Sequence, residues 1–168
     1  MQNIFLIGMM GSGKSNIGKL LSKKLSLPLV DMDDEIQQLM DMSISEIFDE
    51  YGEKRFRLIE SAFFKECSKN DDFIYSTGGG IVLNSKNQNI LQIRGLCFFL
   101  DCDTETIIRR LKDKNKKRPL YQTNDDIISI YNDRIDLYKK CAHYIIDINQ
   151  LDPNTIVQKI EKIYNENN

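Results

Sequence analysis

Eight residues near the N-terminus, Gly8-Met9-Met10-Gly11-Ser12-Gly13-Lys14-Ser15, match the pattern G-x-x-x-x-G-K-[ST] throughout. Binding a polyphosphate needs several backbone N–H groups aimed at one anion. Side chains would obstruct that approach, and glycines remove the obstruction. A helix opening at Lys14 adds the positive end of its dipole. Lys14 then reaches the β- and γ-phosphates of ATP, and the Ser15 hydroxyl ligates Mg²⁺. The expected ATP contacts are Gly11, Ser12, Gly13, Lys14, Ser15 and Asn16. Asn16 stands where many such loops carry a second hydroxyl residue. A glycine-rich turn of no function could match by chance, but the context argues otherwise. The motif follows the apolar run Ile4-Phe5-Leu6-Ile7 and precedes Ile17, Leu20, Leu21 and Leu25, which share one helix face.

A phosphate loop does not choose the phosphoryl acceptor. Three further groups bear on that choice. Asp31-Met32-Asp33 closes the short apolar run after Pro28. Ligands of open α/β sheets sit beyond the carboxyl ends of the strands, so one carboxylate can hold Mg²⁺ through water and the other can take a proton from a hydroxyl. Taken singly, either aspartate could equally be a helix N-cap. Arg57 and Glu60, three apart on a helix, can pair, which would hold the guanidinium fork for a substrate carboxylate. A plain surface ion pair has the same spacing. Thr77-Gly78-Gly79-Gly80 points to a close backbone approach, or to a flexible turn.

The elements that must position these groups alternate. Strands are expected at 3–7, 29–31, 73–76, 96–101 and 144–146. Helices are expected from Lys14, around Ile36 to Met40, from the capping box Ser43 to Glu46, and after Gly52 with Phe56, Ile59, Phe63 and Cys67 on one face. Further helices are expected at 85–92, 104–111, 125–141 and after the Asp152-Pro153 start. In the helix over 125–141, Ile128, Tyr131, Ile135 and Tyr138 read as the inner side. The pattern predicts one α/β domain over 1–168, with a five-stranded parallel sheet flanked by helices on both faces. Lys112 to Arg118 contains no apolar residue and reads as a mobile, solvated segment.

Composition narrows the partners. The 168 residues are 41% hydrophobic and 29% charged, with net charge -2, so a nucleic-acid partner is not favoured. No apolar run approaches the ~20 residues of a membrane span, and the N-terminus shows no signal-peptide pattern. Cys67, Cys97, Cys102 and Cys141 form no C-x-x-C pair. Buried free thiols in a cytoplasmic protein are expected, and a monomer with them.

Taken in order, Gly8 to Ser15, Asp31-Met32-Asp33, Phe56 to Glu60, Gly78 to Gly80, Arg118-Pro119-Leu120 and Arg134 to Tyr138 resemble the shikimate kinase family over nearly the whole chain. The resemblance implies the fold of the P-loop nucleoside-monophosphate kinases. It also implies transfer of the γ-phosphoryl of ATP to the 3-hydroxyl of shikimate, on the route to chorismate and the aromatic amino acids. It implies that Asp33, Arg57, Gly79, Gly80 and Arg134 hold shikimate, with the helical segment 32–62 as the acceptor-binding part. Asp33 would contact the reacting hydroxyl, and Asp31 with Ser15 would serve Mg²⁺. Lys14, Asp33 and Arg118 would be the catalytic set, with Arg118 closing a lid over 112–124. Arg110, with Arg109 as the alternative, would stack on adenine, and the Asn149–Pro153 turn would touch it through backbone. Gluconate and nucleoside-monophosphate kinases share the loop and a basic lid, and are the rival readings.

Overall fold

The computed structural model describes residues 2–112 and 123–168. Five strands form a single sheet in the order β2-β3-β1-β4-β5, and every pairing is parallel. The strands are β1 (Asn3–Ile7), β2 (Leu29–Asp31), β3 (Ile74–Ser76), β4 (Gly95–Asp101) and β5 (Tyr144–Asp147). β1 lies at the centre and none of its five residues reaches solvent. That is why it reads as an unbroken apolar run rather than an alternating one. The helices are α1 (Lys14–Leu25), α2 (Met32–Met40), α3 (Ile44–Cys67), α4 (Ser85–Ile93), α5 (Thr104–Lys112), α6 (Asn124–Cys141) and α7 (Pro153–Glu166).

Handedness then places the helices. Parallel crossovers are right-handed, so connections running in opposite directions along the sheet cover opposite faces. The step from β1 to β2 runs one way, and the steps from β2 to β3, β3 to β4 and β4 to β5 run the other. α1 therefore lies on one face, where it packs on α7, while α3, α4 and α6 share the other. β1 and β3 are neighbours whose following connections go to opposite faces. The crevice between their carboxyl ends is the switch point where such sheets bind ligands.

The helix ends follow their caps. The Ser43–Glu46 capping box is formed in both directions, and Asp152 accepts from the backbone of Asn154 and Thr155 ahead of Pro153. Two inner faces differ from the sequence reading. On α6 the buried residues are Ile127, Arg134, Tyr138 and Cys141, while Ile128 is exposed. The helix is rotated to turn a cation inward, and a polar residue in the buried row hides that row from a hydropathy reading. On α3 the buried row is Phe56, Glu60 and Phe64, with Ile59, Phe63 and Cys67 only half-buried. The span α3 is two helical stretches meeting at Gly52, where φ 75°, ψ 165° is not helical, as the sequence predicts. Ile36, Ile47 and Phe56 form a small apolar cluster joining α2 to α3.

The cysteines are structural. Cys97, Cys102 and Cys141 are buried, Cys67 is half-buried, and all four are free thiols. Burial pushes the Cys102 thiol up to about 11, so it carries little thiolate at neutral pH. His143 accepts the Cys97 backbone N–H at Nδ1 (3.0 Å), which gives it a structural role. No helix among the described residues is long and apolar enough to cross a membrane.

Candidate active site

The phosphate loop sits where the switch point requires it, between the end of β1 and the start of α1. Gly13 caps α1 at φ 96°, in the left-handed region that disfavours an L side chain. Lys14, only 8% exposed, donates from Nζ to the carbonyls of Gly8 and Met9, both at 2.8 Å. The ammonium thereby ties the two ends of the loop together from inside. The Ser12 hydroxyl is buried with no hydrogen-bond partner, inside a loop built for an anion. Arg110 lies on the same loop: its Nη1 donates to the carbonyls of Gly11 and Ser12, each at 3.3 Å, and Arg109 is exposed. Asn149 accepts the Asp103 backbone N–H at 2.8 Å and so fixes its turn beside the start of α5.

The carboxyl ends of β2 and β3 add the groups suited to a metal. Asp31 and Ser76 are register partners, and Ser15 Oγ lies 3.5 Å from Ser76 Oγ. Asp31 Oδ2 is buried without a hydrogen-bond partner. Among the described residues no cluster of three His, Cys, Asp or Glu could cage a cation. A hydroxyl and one orphaned carboxylate oxygen fit Mg²⁺, which keeps most of its waters and arrives on phosphates.

The glycines after β3 join the two halves of the site. A Cβ on Gly79 would stand 3.4 Å from Met10 N and 3.6 Å from Gly8 O, so this glycine lies against the phosphate loop. Its carbonyl accepts the Tyr138 hydroxyl from α6. A Cβ on Gly80 would land on the Arg57 guanidinium, and one on Gly78 would land on Glu60 Oε1, with Asp33 Oδ1 at 3.3 Å. Arg57 donates from Nη1 to Glu60 Oε2 at 2.8 Å and lies 5.1 Å from the Phe56 ring centroid. Glu60 is 1% exposed. Burial pushes its carboxyl up from the ordinary range, Arg57 pulls it back, and Asp33 and Arg134 act more weakly in opposite senses. For Arg57, burial opposes the charge, but Glu60 and then Glu53 more than offset it, so the guanidinium is held more firmly protonated. Arg134, 6% exposed, belongs to the same group of charges.

Asp33 thus lies beside Gly78, Arg57 beside Gly80 and Gly79 against the phosphate loop, while Arg134 acts on Glu60 through its charge. Arg118 and the rest of the expected lid from 113 to 122 lie outside the described residues. Three contributors were missed in the sequence. Ser76 gives no signal without strand register. Tyr138 reads as core, but its hydroxyl holds Gly79. Glu53 lies four residues before Arg57, and helical spacing would have found it.

Known proteins resemble this chain over nearly its whole length. A family model described as shikimate kinase matches residues 10–165. The shikimate kinase of Caldicellulosiruptor bescii is 41% identical over 167 residues, which is 98% of this chain and 96% of that protein. The chain belongs to the shikimate kinase family. That family's reaction is ATP-dependent phosphorylation of a shikimate hydroxyl. The solved shikimate kinase from Acinetobacter baumannii, in complex with shikimate, superposes with a TM-score of 0.93 at 32% identity, covering 99% of this chain and 94% of that one. A deoxyadenosine kinase from M. mycoides, 16% identical with a TM-score of 0.69 over 98% of this chain and 99% of that one, shares the fold alone. Membership of the shikimate kinase family settles the choice against the gluconate and nucleotide readings.

Gly80 offers a direct check. In Gly80→Ala the methyl meets the end of a flexible side chain, so the guanidinium moves and the backbone stays. The expected result is a rise in KM for shikimate of at least about tenfold, together with a fall in Tm, because moving the guanidinium loosens its pair with the buried Glu60. A large loss of Tm with unchanged KM would mean that the glycine serves the fold instead.

Proposed function

We propose that the chain transfers the γ-phosphoryl of ATP to the 3-hydroxyl of shikimate, releasing ADP and shikimate 3-phosphate on the route to chorismate. The observation that carries this reading is the pair Gly79 and Gly80. Adjacent residues touch the phosphate loop on one side and the Arg57 guanidinium on the other. A carboxylate held at Arg57 and Arg134 would therefore present its ring to Asp33 within reach of the loop.

In this reading the hydroxyl oxygen attacks phosphorus as the bond to the β–γ bridging oxygen breaks, and the hydroxyl proton passes to Asp33. Such transfers rest on positioning and charge stabilisation. Lys14 and the N–H groups of Gly11 to Ser15 neutralise the growing charge on the phosphates. Ser15 and Asp31 would hold Mg²⁺, which neutralises phosphate charge when bound. Arg110 would cover the adenine side. The segment 32–62 would carry the acceptor, and Arg118, within 112–124, would close over the phosphates and exclude water.

The test is ATP consumption with and without shikimate, alongside gluconate and nucleoside monophosphates. Turnover is expected with shikimate alone. Arg57→Ala is expected to cost ~2–5 kcal/mol in kcat/KM for shikimate, the range for stripping one partner from a desolvated charge pair. An unmoved value would remove Arg57 from the acceptor site.

A further inference from the structure

We propose that Glu53 is a resident stand-in for the substrate's carboxylate, occupying one edge of Arg57 until shikimate displaces it. This rests on the reading of Arg57 as the carboxylate clamp. The guanidinium is not waiting empty. Its Nη1 goes to Glu60 Oε2 at 2.8 Å, and its Nε and Nη2 both donate to Glu53 Oε1 at 3.3 Å. The Nε–Nη2 side carries two parallel N–H bonds and is one of the two edges on which arginine holds a carboxylate in bidentate fashion. The protein's own carboxylates take three of the five N–H donors, and the Nε–Nη2 edge opens to an incoming carboxylate only when Glu53 leaves it.

The two partners differ in how easily they leave. Glu60 makes the short bond and is 1% exposed. Removing it would strand a buried charge. Glu53 makes two long bonds through one oxygen and its side chain is 42% exposed. Glu53 is the more solvated of the two partners, and its freed carboxylate returns to water. Glu53 also follows Gly52 directly, where φ 75°, ψ 165° breaks α3 and no Cβ would meet a neighbour within 4 Å. The Cβ direction at the break is open space. Glu60 is therefore the permanent anchor of the clamp and Glu53 the exchangeable occupant. The exchange favours acceptors that bring a negative charge, because a neutral ligand has nothing to offer Arg57 in return.

The test compares wild type, Glu53→Gln, Glu53→Ala and Arg57→Ala with shikimate and with its neutral carboxamide. Both Glu53 variants are expected to lower KM for shikimate by about threefold, the scale of an ion pair with one solvated partner. KM for ATP and KM for the carboxamide should stay in place. An unchanged or raised KM for shikimate in both variants overturns the exchange and makes Glu53 a brace for Arg57. So does an equal fall for the carboxamide. Arg57→Ala separates the two levels of the argument: a raised KM for shikimate keeps the clamp whatever Glu53 does, and an unmoved one removes the clamp and the exchange together.

Discussion

Lys14→Met is expected to lower kcat by about a thousandfold, the upper part of the range for removing one preorganised donor from a developing charge. Methionine keeps the length and apolar stem of lysine but carries no N–H. The loss is therefore electrostatic, at the bridge between the β- and γ-phosphates. It also unties the loop, because Gly8 and Met9 carbonyls each lose a 2.8 Å bond from Nζ. Leaving such acceptors unpaired costs about 1–3 kcal/mol each when they remain buried. A fall in Tm is therefore expected beside the fall in rate. Measuring kcat well below the variant's own Tm keeps the two apart. A rate within tenfold of wild type at that temperature would contradict the assignment of Lys14 to the phosphates.

Asp33→Asn is expected to lower kcat by roughly 10²–10⁴-fold, the usual contribution of a positioned general base. Asparagine can still accept a hydrogen bond from the 3-hydroxyl, but it cannot keep the proton. The substitution therefore separates holding the hydroxyl from deprotonating it. KM for ATP should barely move, since Asp33 lies on the Gly78 and Glu60 side of the cleft. Single-turnover phosphoryl transfer gives the chemical step free of product release. If that step survives in Asp33→Asn, the carboxylate only orients the acceptor, and the proton leaves with the phosphoryl group by another route.

Much of this site was legible in the residues themselves. The phosphate loop could be read because its chemistry is local: eight consecutive residues supply the turn, the dipole and the cation. The Arg57–Glu60 pair was legible from helical spacing, yet the same spacing fits a solvated surface pair. Only the 1% exposure of Glu60 and the close approach of Gly80 separate the two. Helix α6 shows the opposite failure. Periodicity assigned Ile128 to its inner side, but the buried row runs through Ile127 and Arg134, and a cation in that row hides it from a hydropathy reading.

The chain's own pattern determined the elements and the kind of chemistry, because caps, periodicity and the glycine-lysine loop depend on neighbours a few residues away. Strand order and register decided the rest. That Gly79 meets Met10 and Gly8, or that Ser76 stands beside both Ser15 and Asp31, depends on β3 lying next to β1 and β2. Pairing between distant strands is chosen by the burial of the whole sheet and by crossover handedness, which no short stretch of residues encodes.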